Sequence, residues 1–189
     1  MKLWGKIKFQ YEKLYLKKYH LNRDKFRIMG FPIIKIMGNG KIIIDKHILA
    51  VSGALHSVLG INRKCKFVVY PNAELHFKGV ASMSNTVIIA SHKVEIGDNV
   101  MIGGGCTIVD TDFHSLDYSL WNTPQDEVMM KRNDVVIGNN VFLGMNSIVL
   151  KGCHIGDGAI IGAGSVVCKN IPAGEIWGGN PIKFIRSRD

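Results

Sequence analysis

The chain has 189 residues, of which 47% are hydrophobic and 21% charged, and these values exclude wholesale disorder and a pair of full-sized enzymatic domains. Glycine is frequent, at 21 residues, whereas five prolines are few, so collagen-like and linker sequences are excluded as well. The net charge of +9 suggests nucleic acid, an anionic membrane or phosphorylated ligands as partners.

Residues 1–30 form a basic segment that we predict to be helical. They hold nine Lys or Arg against two acids, a net charge of +7, and apolar residues recur at mostly helical spacing from Leu3 to Leu21. Two interpretations stay open: peripheral contact with an anionic membrane or a lipid-linked glycan, or a cap that packs on the next domain and points its lysines at water. Because no recognition motif accompanies the charge, we expect no nucleic-acid partner.

The four cysteines, Cys65, Cys106, Cys153 and Cys168, lie far apart and form no CxxC pair. The N-terminus lacks a secretory apolar region, and Lys or Arg interrupts every apolar run before it reaches the ~20 residues of a membrane span. We therefore expect a cytoplasmic protein, with the inner face of the membrane as the site of any peripheral contact.

We assign residues 31–189 to one domain. Its first part contains short apolar runs at 41–44, 67–70 and 87–89, which are typical of buried strands. Their spacing is irregular, so the sequence does not define their phase.

From Ile96 onward, an aliphatic residue recurs every six positions with one interruption. The nine positions are Ile96, Ile102, Ile108, Ile137, Leu143, Val149, Ile155, Ile161 and Val167. A small or β-branched residue lies two positions before each, on the same face of a strand. Glycine follows two of every three, so the full period is eighteen residues, enough for a triangular coil of three strands in which glycine would relieve unusual backbone angles.

The interruption is an insertion of 23 residues between Ile108 and Ile137, after which the eighteen-residue phase resumes. It predicts a protruding loop over about 110–134. Excursions from a rigid scaffold are where functional residues tend to lie.

Four motifs in this order resemble the hexapeptide-repeat acyltransferases, in particular sugar O-acetyltransferases of the maltose/galactoside and capsular-polysaccharide type. They are Asp110–Ser115, similar to the family's histidine loop; Val141–Gly144, with Phe in place of the usual Trp; Ile161–Val167; and Gly179–Lys183. The resemblance implies an all-β fold, a left-handed parallel β-helix with a protruding loop and a short N-terminal helical segment, assembled as a homotrimer.

The resemblance also implies that His114 is a general base, a role that suits a neutral imidazole. Three neighbouring carboxylates, Asp110, Asp112 and Asp117, are candidates for orienting its ring; we take Asp112 as the catalytic candidate and leave the choice open.

The family's oxyanion-stabilising asparagine aligns with Met83 in this chain. Asn85 is the expected substitute, with Ser84 beside it, and an ordinary turn asparagine is the alternative.

Acetyl-CoA is the cosubstrate that the resemblance implies. The corresponding positions are Gly144, Met145, Ala163, Cys168, Lys169, Lys183 and Arg186. The three cations suit the phosphates of the nucleotide end. We expect no metal, because the histidines form no close pair.

We therefore expect an acetyl-CoA-dependent O-acetyltransferase that acts directly on a sugar or glycan hydroxyl, in surface-polysaccharide biosynthesis. The alternatives are transfer to an amine or to serine, and a non-catalytic β-helical scaffold.

Overall fold

The structure is a computed structural model that describes residues 2–188, with side chains from Gly5 onward. Helix α1 (Lys2–Lys17) precedes a stack of coils, and each complete coil contributes one strand to each of three sheets. Numbered in chain order, sheet A holds β1 (Phe26–Met29), β4 (Ile48–Val51), β7 (Ala81–Ser84), β10 (Val100–Ile102), β13 (Phe142–Leu143), β16 (Ile160–Ile161), β18 (Glu175–Gly178) and β19 (Lys183–Ser187). Sheet B holds β2 (Ile33–Ile36), β5 (Lys66–Val69), β8 (Val87–Ala90), β11 (Thr107–Val109), β14 (Ile148–Val149) and β17 (Val166–Val167). Sheet C holds β3 (Lys41–Ile44), β6 (Glu74–Phe77), β9 (Lys93–Ile96), β12 (Val135–Ile137) and β15 (His154–Ile155).

Neighbouring strands in each sheet are parallel, apart from the antiparallel pair β18 and β19 at the C-terminal edge of sheet A. Two consecutive strands of a sheet belong to consecutive coils, so each backbone ladder is made to the coil above or below. This arrangement confirms the predicted left-handed parallel β-helix.

The hexad residues form the core. All nine aliphatic positions are at most 4% exposed, and so are the nine small or β-branched positions two residues earlier. Equivalent residues stack in register from coil to coil: Ile96 pairs with Ile137, which in turn pairs with Ile155. The sequence period therefore predicted the interior correctly.

The glycines that follow the aliphatic residues have a different role from the predicted one. A Cβ on Gly103 would lie 2.5 Å from the nitrogen of Met145, and a Cβ on Gly144 would lie 2.4 Å from that of Ala163. Close approach between coils excludes a side chain at both positions. Positive φ angles occur two residues after these glycines, at Asn99, Gly105, Asn140, Asn146, Gly158 and Gly164. The expectation that the hexad glycines relieve unusual backbone angles is therefore wrong.

The apolar runs predicted upstream as strands lie in β3, β5 and β8. From β1 to β7, successive strands begin seven or eight residues apart instead of six, except across 52–65, a second excursion between β4 and β5. These extra residues hide the phase in the sequence. Strand β1 already pairs with β4, so the first coil begins inside the segment 1–30 that we assigned to the N-terminal part.

Helix α1 packs on the first coils through Leu16 and Glu12, which are both buried. The Glu12 carboxylate accepts hydrogen bonds from the Arg23 guanidinium at 2.7 Å, and the Tyr15 hydroxyl donates to the carbonyl of Pro32. Neither α1 nor any other helix within residues 2–188 is long and apolar enough to cross a membrane.

Candidate active site

The protruding loop leaves after β11, returns at β12 and is closed at its base by a short antiparallel ladder. The Asn133 N–H donates to the Asp110 carbonyl at 3.0 Å, the Asp112 N–H donates to the Lys131 carbonyl at 3.2 Å, and Thr111 bridges to Arg132. The β-helix therefore holds the loop at both ends.

Asp110 anchors the first strand of this base. Its two carboxylate oxygens accept the backbone N–H groups of Ser91 and His92, each at 2.7 Å, and its side chain is fully buried. Burial raises the pKa of Asp110 above its ordinary value, although the two N–H groups favour the ionised form. Asp110 thus fixes the path of the chain.

Within the loop, just beyond its base, His114 lies against a carboxylate. Its Nδ1 is 2.7 Å from Oδ2 of Asp126, on helix α2 (Pro124–Met129). The other oxygen of Asp126 accepts the Ser115 N–H at 2.6 Å. The hydrogen bond from His114, followed by that from Ser115, lowers the pKa of Asp126 below its ordinary value.

The local chain path holds this pair together. Phe113 has a φ of 66°, a left-handed conformation that is unusual for a bulky residue and turns the chain just before His114. The Trp121 indole donates to the Ser115 carbonyl at 2.7 Å, beside a 3₁₀ turn (Tyr118–Leu120). Arg132 donates to the Glu127 carbonyl and so ties α2 to the base of the loop.

None of the three carboxylates that we predicted as orienting groups touches His114. Asp112 is paired with Lys151 at 3.0 Å, Asp117 caps the 3₁₀ turn by accepting the Ser119 N–H, and Asp110 is bound to backbone. The assignment of Asp112 is therefore corrected: Asp126 occupies the orienting position.

The pairing determines which nitrogen of His114 is basic. The Asp126 carboxylate is ionised at neutral pH and can only accept, so Nδ1 carries the hydrogen and Nε2 carries the lone pair. The His114 side chain is 72% exposed, whereas Asp126 is 10% exposed. This arrangement presents a base of fixed tautomer to a substrate from solvent.

Asn85 does not face solvent. It is fully buried at a left-handed corner, with a φ of 52°, and its amide donates to the carbonyls of Ile61 and Arg63. It therefore holds the excursion 52–65 against the coils. The expectation that Asn85 stabilises an oxyanion is corrected for this chain, and the alternative of a turn asparagine fits its geometry.

Ser84, the neighbouring candidate, lies on a groove of about 370 Å³ between the outer face of sheet A and the excursion 52–65. Ser82, Met101 and Phe142 also line this groove. Its wall is mainly apolar, with three serines, Ser57, Ser82 and Ser84, and such a lining is common for small-molecule sites.

The predicted acetyl-CoA positions fall into separate groups. Gly144, Met145 and Ala163 lie at the corner between sheets A and B in consecutive coils, and the Met145 carbonyl accepts the Gly164 N–H. Gly144 itself offers no spare backbone group, because its N–H donates to Ile161 and its carbonyl accepts from Cys106 and Ser147. Ala163 and Met145 are exposed.

The cations lie elsewhere. Lys183 and Arg186 are exposed on β19, at the edge of sheet A, whereas Cys168 and Lys169 are exposed at the end of β17 in sheet B.

Burial raises the pKa of the Cys106 thiol, so this cysteine stays protonated. Within residues 2–188, no three His, Cys, Asp or Glu side chains are grouped in a way that could hold a metal ion.

Two family models match the chain. Residues 134–169 match the bacterial transferase hexapeptide (six repeats), and residues 93–109 match the hexapeptide repeat of succinyl-transferase. Both matches fall in the regular coils that flank the protruding loop.

Several named relatives are similar over part of their length. The chain is 36% identical to the galactoside O-acetyltransferase of Escherichia coli (strain K12), over 54% of this chain and 48% of the relative. It is 36% identical to the putative lipopolysaccharide biosynthesis O-acetyl transferase WbbJ of the same strain, over 59% and 60%, and 32% identical to the putative acetyltransferase YvoF of Bacillus subtilis (strain 168), over 54% and 52%. The chain thus spans about half the length of the relatives it matches.

Solved structures share the fold over almost the whole chain. The N-acyltransferase AntD from Bacillus cereus, in complex with dTDP-4-amino-4,6-dideoxyglucose and coenzyme A, superimposes with a TM-score of 0.63 at 17% identity, covering 91% of this chain and 89% of that one. A hexapeptide-repeat acetyltransferase from Vibrio cholerae complexed with acetyl coenzyme A gives 0.57 at 21% identity, covering 96% and 85%. With its hexad core, its three parallel sheets and these matches, the chain carries the bacterial transferase hexapeptide repeat and has the left-handed parallel β-helix fold of the hexapeptide-repeat acetyltransferases that it resembles.

Proposed function

We propose that the protein is an acetyl-CoA-dependent O-acetyltransferase that acts on a sugar hydroxyl in surface-polysaccharide biosynthesis. The observation that carries the proposal is the pair of His114 and Asp126 in the protruding loop, with the imidazole exposed and its Nδ1 2.7 Å from the carboxylate. The names of the galactoside and lipopolysaccharide relatives support a sugar as acceptor.

In this reaction, His114 Nε2 takes the proton of the acceptor hydroxyl while its oxygen attacks the thioester carbonyl carbon. Asp126 stabilises the imidazolium that forms and keeps the ring in place. The imidazolium then returns its proton to the leaving sulfur as the C–S bond breaks, which yields the acetyl ester and free CoA. Transfer is direct and needs no nucleophile from the protein, in agreement with the buried, protonated Cys106.

The residues that would hold acetyl-CoA are those at the corner between sheets A and B, Met145 and Ala163, together with the cations Lys183 and Arg186 on β19. The exposed cations suit phosphates. Lys169 and Cys168 lie in a different sheet, so in this proposal they meet the cosubstrate bound between two subunits of a homotrimer.

The test is a thiol-release assay with the purified full chain, acetyl-CoA and a panel of neutral sugars, amino sugars and serine. We expect release of CoA with hydroxyl acceptors and an O-acetyl product, identified by its lability to mild base. Transfer that occurs only to the amine of an amino sugar or of serine would reject the proposed acceptor class.

His114→Ala should abolish transfer with only a small change in the thermal transition, because the His114 side chain is 72% exposed. The matched control is His92→Ala: His92 is also an exposed imidazole, with Nδ1 2.5 Å from the Asp134 carboxylate, but it lies on the β-helix. Full activity of His114→Ala, or equal loss in both variants, would contradict the role of His114. Absence of thiol release from the wild-type chain with every acceptor would favour the non-catalytic scaffold.

A further inference from the structure

Helix α1 presents a stripe of apolar side chains to solvent. Tyr11 is 68% exposed, Leu14 66% and Ile7 48%. At 3.6 residues per turn, these three side chains fall within an arc of about 60° on the helix. They lie roughly opposite Leu16 and Glu12, the residues that are buried against the β-helix. The stripe is therefore on the outer surface of the molecule.

The apolar surface continues beyond the helix. Phe31 packs against Tyr15 with ring centroids 5.2 Å apart, and Tyr11, Leu14, Tyr15 and Phe31 line one shallow hollow. Ile33, on β2, is 47% exposed as well. We call this set of five residues, Ile7, Tyr11, Leu14, Phe31 and Ile33, the N-terminal apolar surface. Soluble proteins rarely expose grouped apolar side chains of this kind, and where they do, the group commonly marks an interaction site.

A row of lysines runs beside this surface. Lys6, Lys13 and Lys17 are exposed and fall within about 40° of one another on the helix, on one side of the apolar stripe. The only acid from residue 5 to residue 20 is Glu12, which is buried and paired with Arg23. The described outer surface of α1 therefore carries lysines beside the apolar stripe and no exposed acidic side chain.

We propose that the N-terminal apolar surface and its lysine row dock the protein on an anionic bilayer, with α1 lying in the plane of the headgroups. A helix of 16 residues with an apolar face beside a basic one has the form of an interfacial helix. Charge complementarity identifies the partner as a bilayer. The lysines match anionic headgroups, and the exposed apolar side chains match the acyl chains below them. The proposal does not depend on the acetyl-transfer reaction.

The experiment is flotation of the full chain with vesicles of phosphatidylcholine alone or of phosphatidylcholine mixed with phosphatidylglycerol. We expect binding to the anionic vesicles and little to the neutral ones, and weaker binding as salt is raised. No binding to either vesicle, or equal binding to both, would overturn the proposal.

Two matched pairs of variants test the surface itself. The double variant Lys13→Gln with Lys17→Gln should weaken binding roughly fivefold per lysine, about 25-fold in all. The control, Lys64→Gln with Lys131→Gln, removes the same charge from two exposed lysines outside α1 and should bind nearly as wild type. If both double variants lose affinity for the vesicles equally, binding depends on net charge alone, and the proposed role of the lysine row on α1 is rejected.

For the apolar part, Leu14→Ser should weaken binding about tenfold or more, because one large side chain no longer enters the bilayer. Val58→Ser, at a fully exposed position in the excursion 52–65, is the control and should change little. If Leu14→Ser instead changes the oligomeric state measured by light scattering and leaves vesicle binding intact, this surface is a contact between copies of the chain and the proposal fails.

Discussion

Replacement of Asp126 by asparagine tests the chemistry of the loop, because the two oxygens of Asp126 have different partners. One accepts the Ser115 N–H at 2.6 Å and the other faces His114 Nδ1 at 2.7 Å. An asparagine has a single oxygen, and the backbone N–H of Ser115 can only donate. The amide oxygen should therefore turn to Ser115 and its NH2 group to His114.

This orientation reverses the tautomer of the histidine. With an amide donor opposite it, Nδ1 accepts a hydrogen bond and the ring carries its hydrogen on Nε2, where the acceptor hydroxyl needs a lone pair. The imidazolium formed during transfer also loses its carboxylate. Since a positioned general base contributes about 10²–10⁴-fold, we expect Asp126→Asn to lower kcat by a factor in that range with little change in KM.

The assay is thiol release under saturating acetyl-CoA, with Asp126→Ala as the companion variant. Alanine removes the carboxylate but leaves the ring free to choose its tautomer, so its activity should be equal to or higher than that of the asparagine variant. A clearly more active Asp126→Asn would refute the tautomer argument, and wild-type kcat in both variants would refute any orienting role of Asp126.

Three further predictions concern stability. Gly144→Ala should lower the free energy of unfolding by about 1–3 kcal/mol, because its Cβ would meet a backbone nitrogen of the next coil at 2.4 Å. The control is Gly162→Ala, whose Cβ would have its nearest neighbouring atom at 3.5 Å and which should therefore cost little. Equal melting temperatures of the two variants would exclude the contact between coils as the cause. Arg63→Ala should cost about 1.5–3 kcal/mol in chemical denaturation, since this guanidinium donates to three backbone carbonyls, whereas Lys64→Ala at the exposed neighbouring position should not. The pKa of Asp126 is lowered in the folded loop, so its contribution to stability is complete above the ordinary Asp pKa of about 3.9 and is lost as the pH falls through the lower folded value. The protection of the loop amides, measured against their intrinsic exchange at the same pH, should fall in that range. The fall should be smaller in Asp126→Asn, which has no carboxylate to protonate.

The regular half of the fold could be predicted from the sequence because each hexad repeats one physical requirement. In each strand, an inward aliphatic residue is accompanied by a second inward residue two positions earlier. Both recur in every coil because each coil packs its interior against that of the next. The upstream coils obey the same requirement, but their corners are one or two residues longer and the excursion 52–65 separates two of them. Since longer corners do not change which residues point inward, the core packing of the upstream coils is the same. The extra corner residues, however, remove the six-residue period from the sequence.

The candidate active site was only half predictable. His114 is visible because it follows the repeat at a fixed point and matches a family motif, whereas Asp126 is twelve residues later in an insertion without a period. What brings them together is the turn at Phe113 and the contacts of Trp121 and Arg132, none of which has a sequence signature. Three nearer aspartates were more obvious candidates, and each is occupied by a structural partner.

Helix α1 shows why spacing alone does not determine which face of a helix is buried. Hydropathy would turn Ile7, Tyr11 and Leu14 inward, yet they are exposed, and the inward face contains Glu12. A buried carboxylate is tolerated only with a partner, and Arg23 supplies it through hydrogen bonds of 2.7 Å. Rotation of the helix to bury the apolar stripe would separate this pair, so the ion pair fixes the rotation and leaves the stripe on the outer surface beside the lysines.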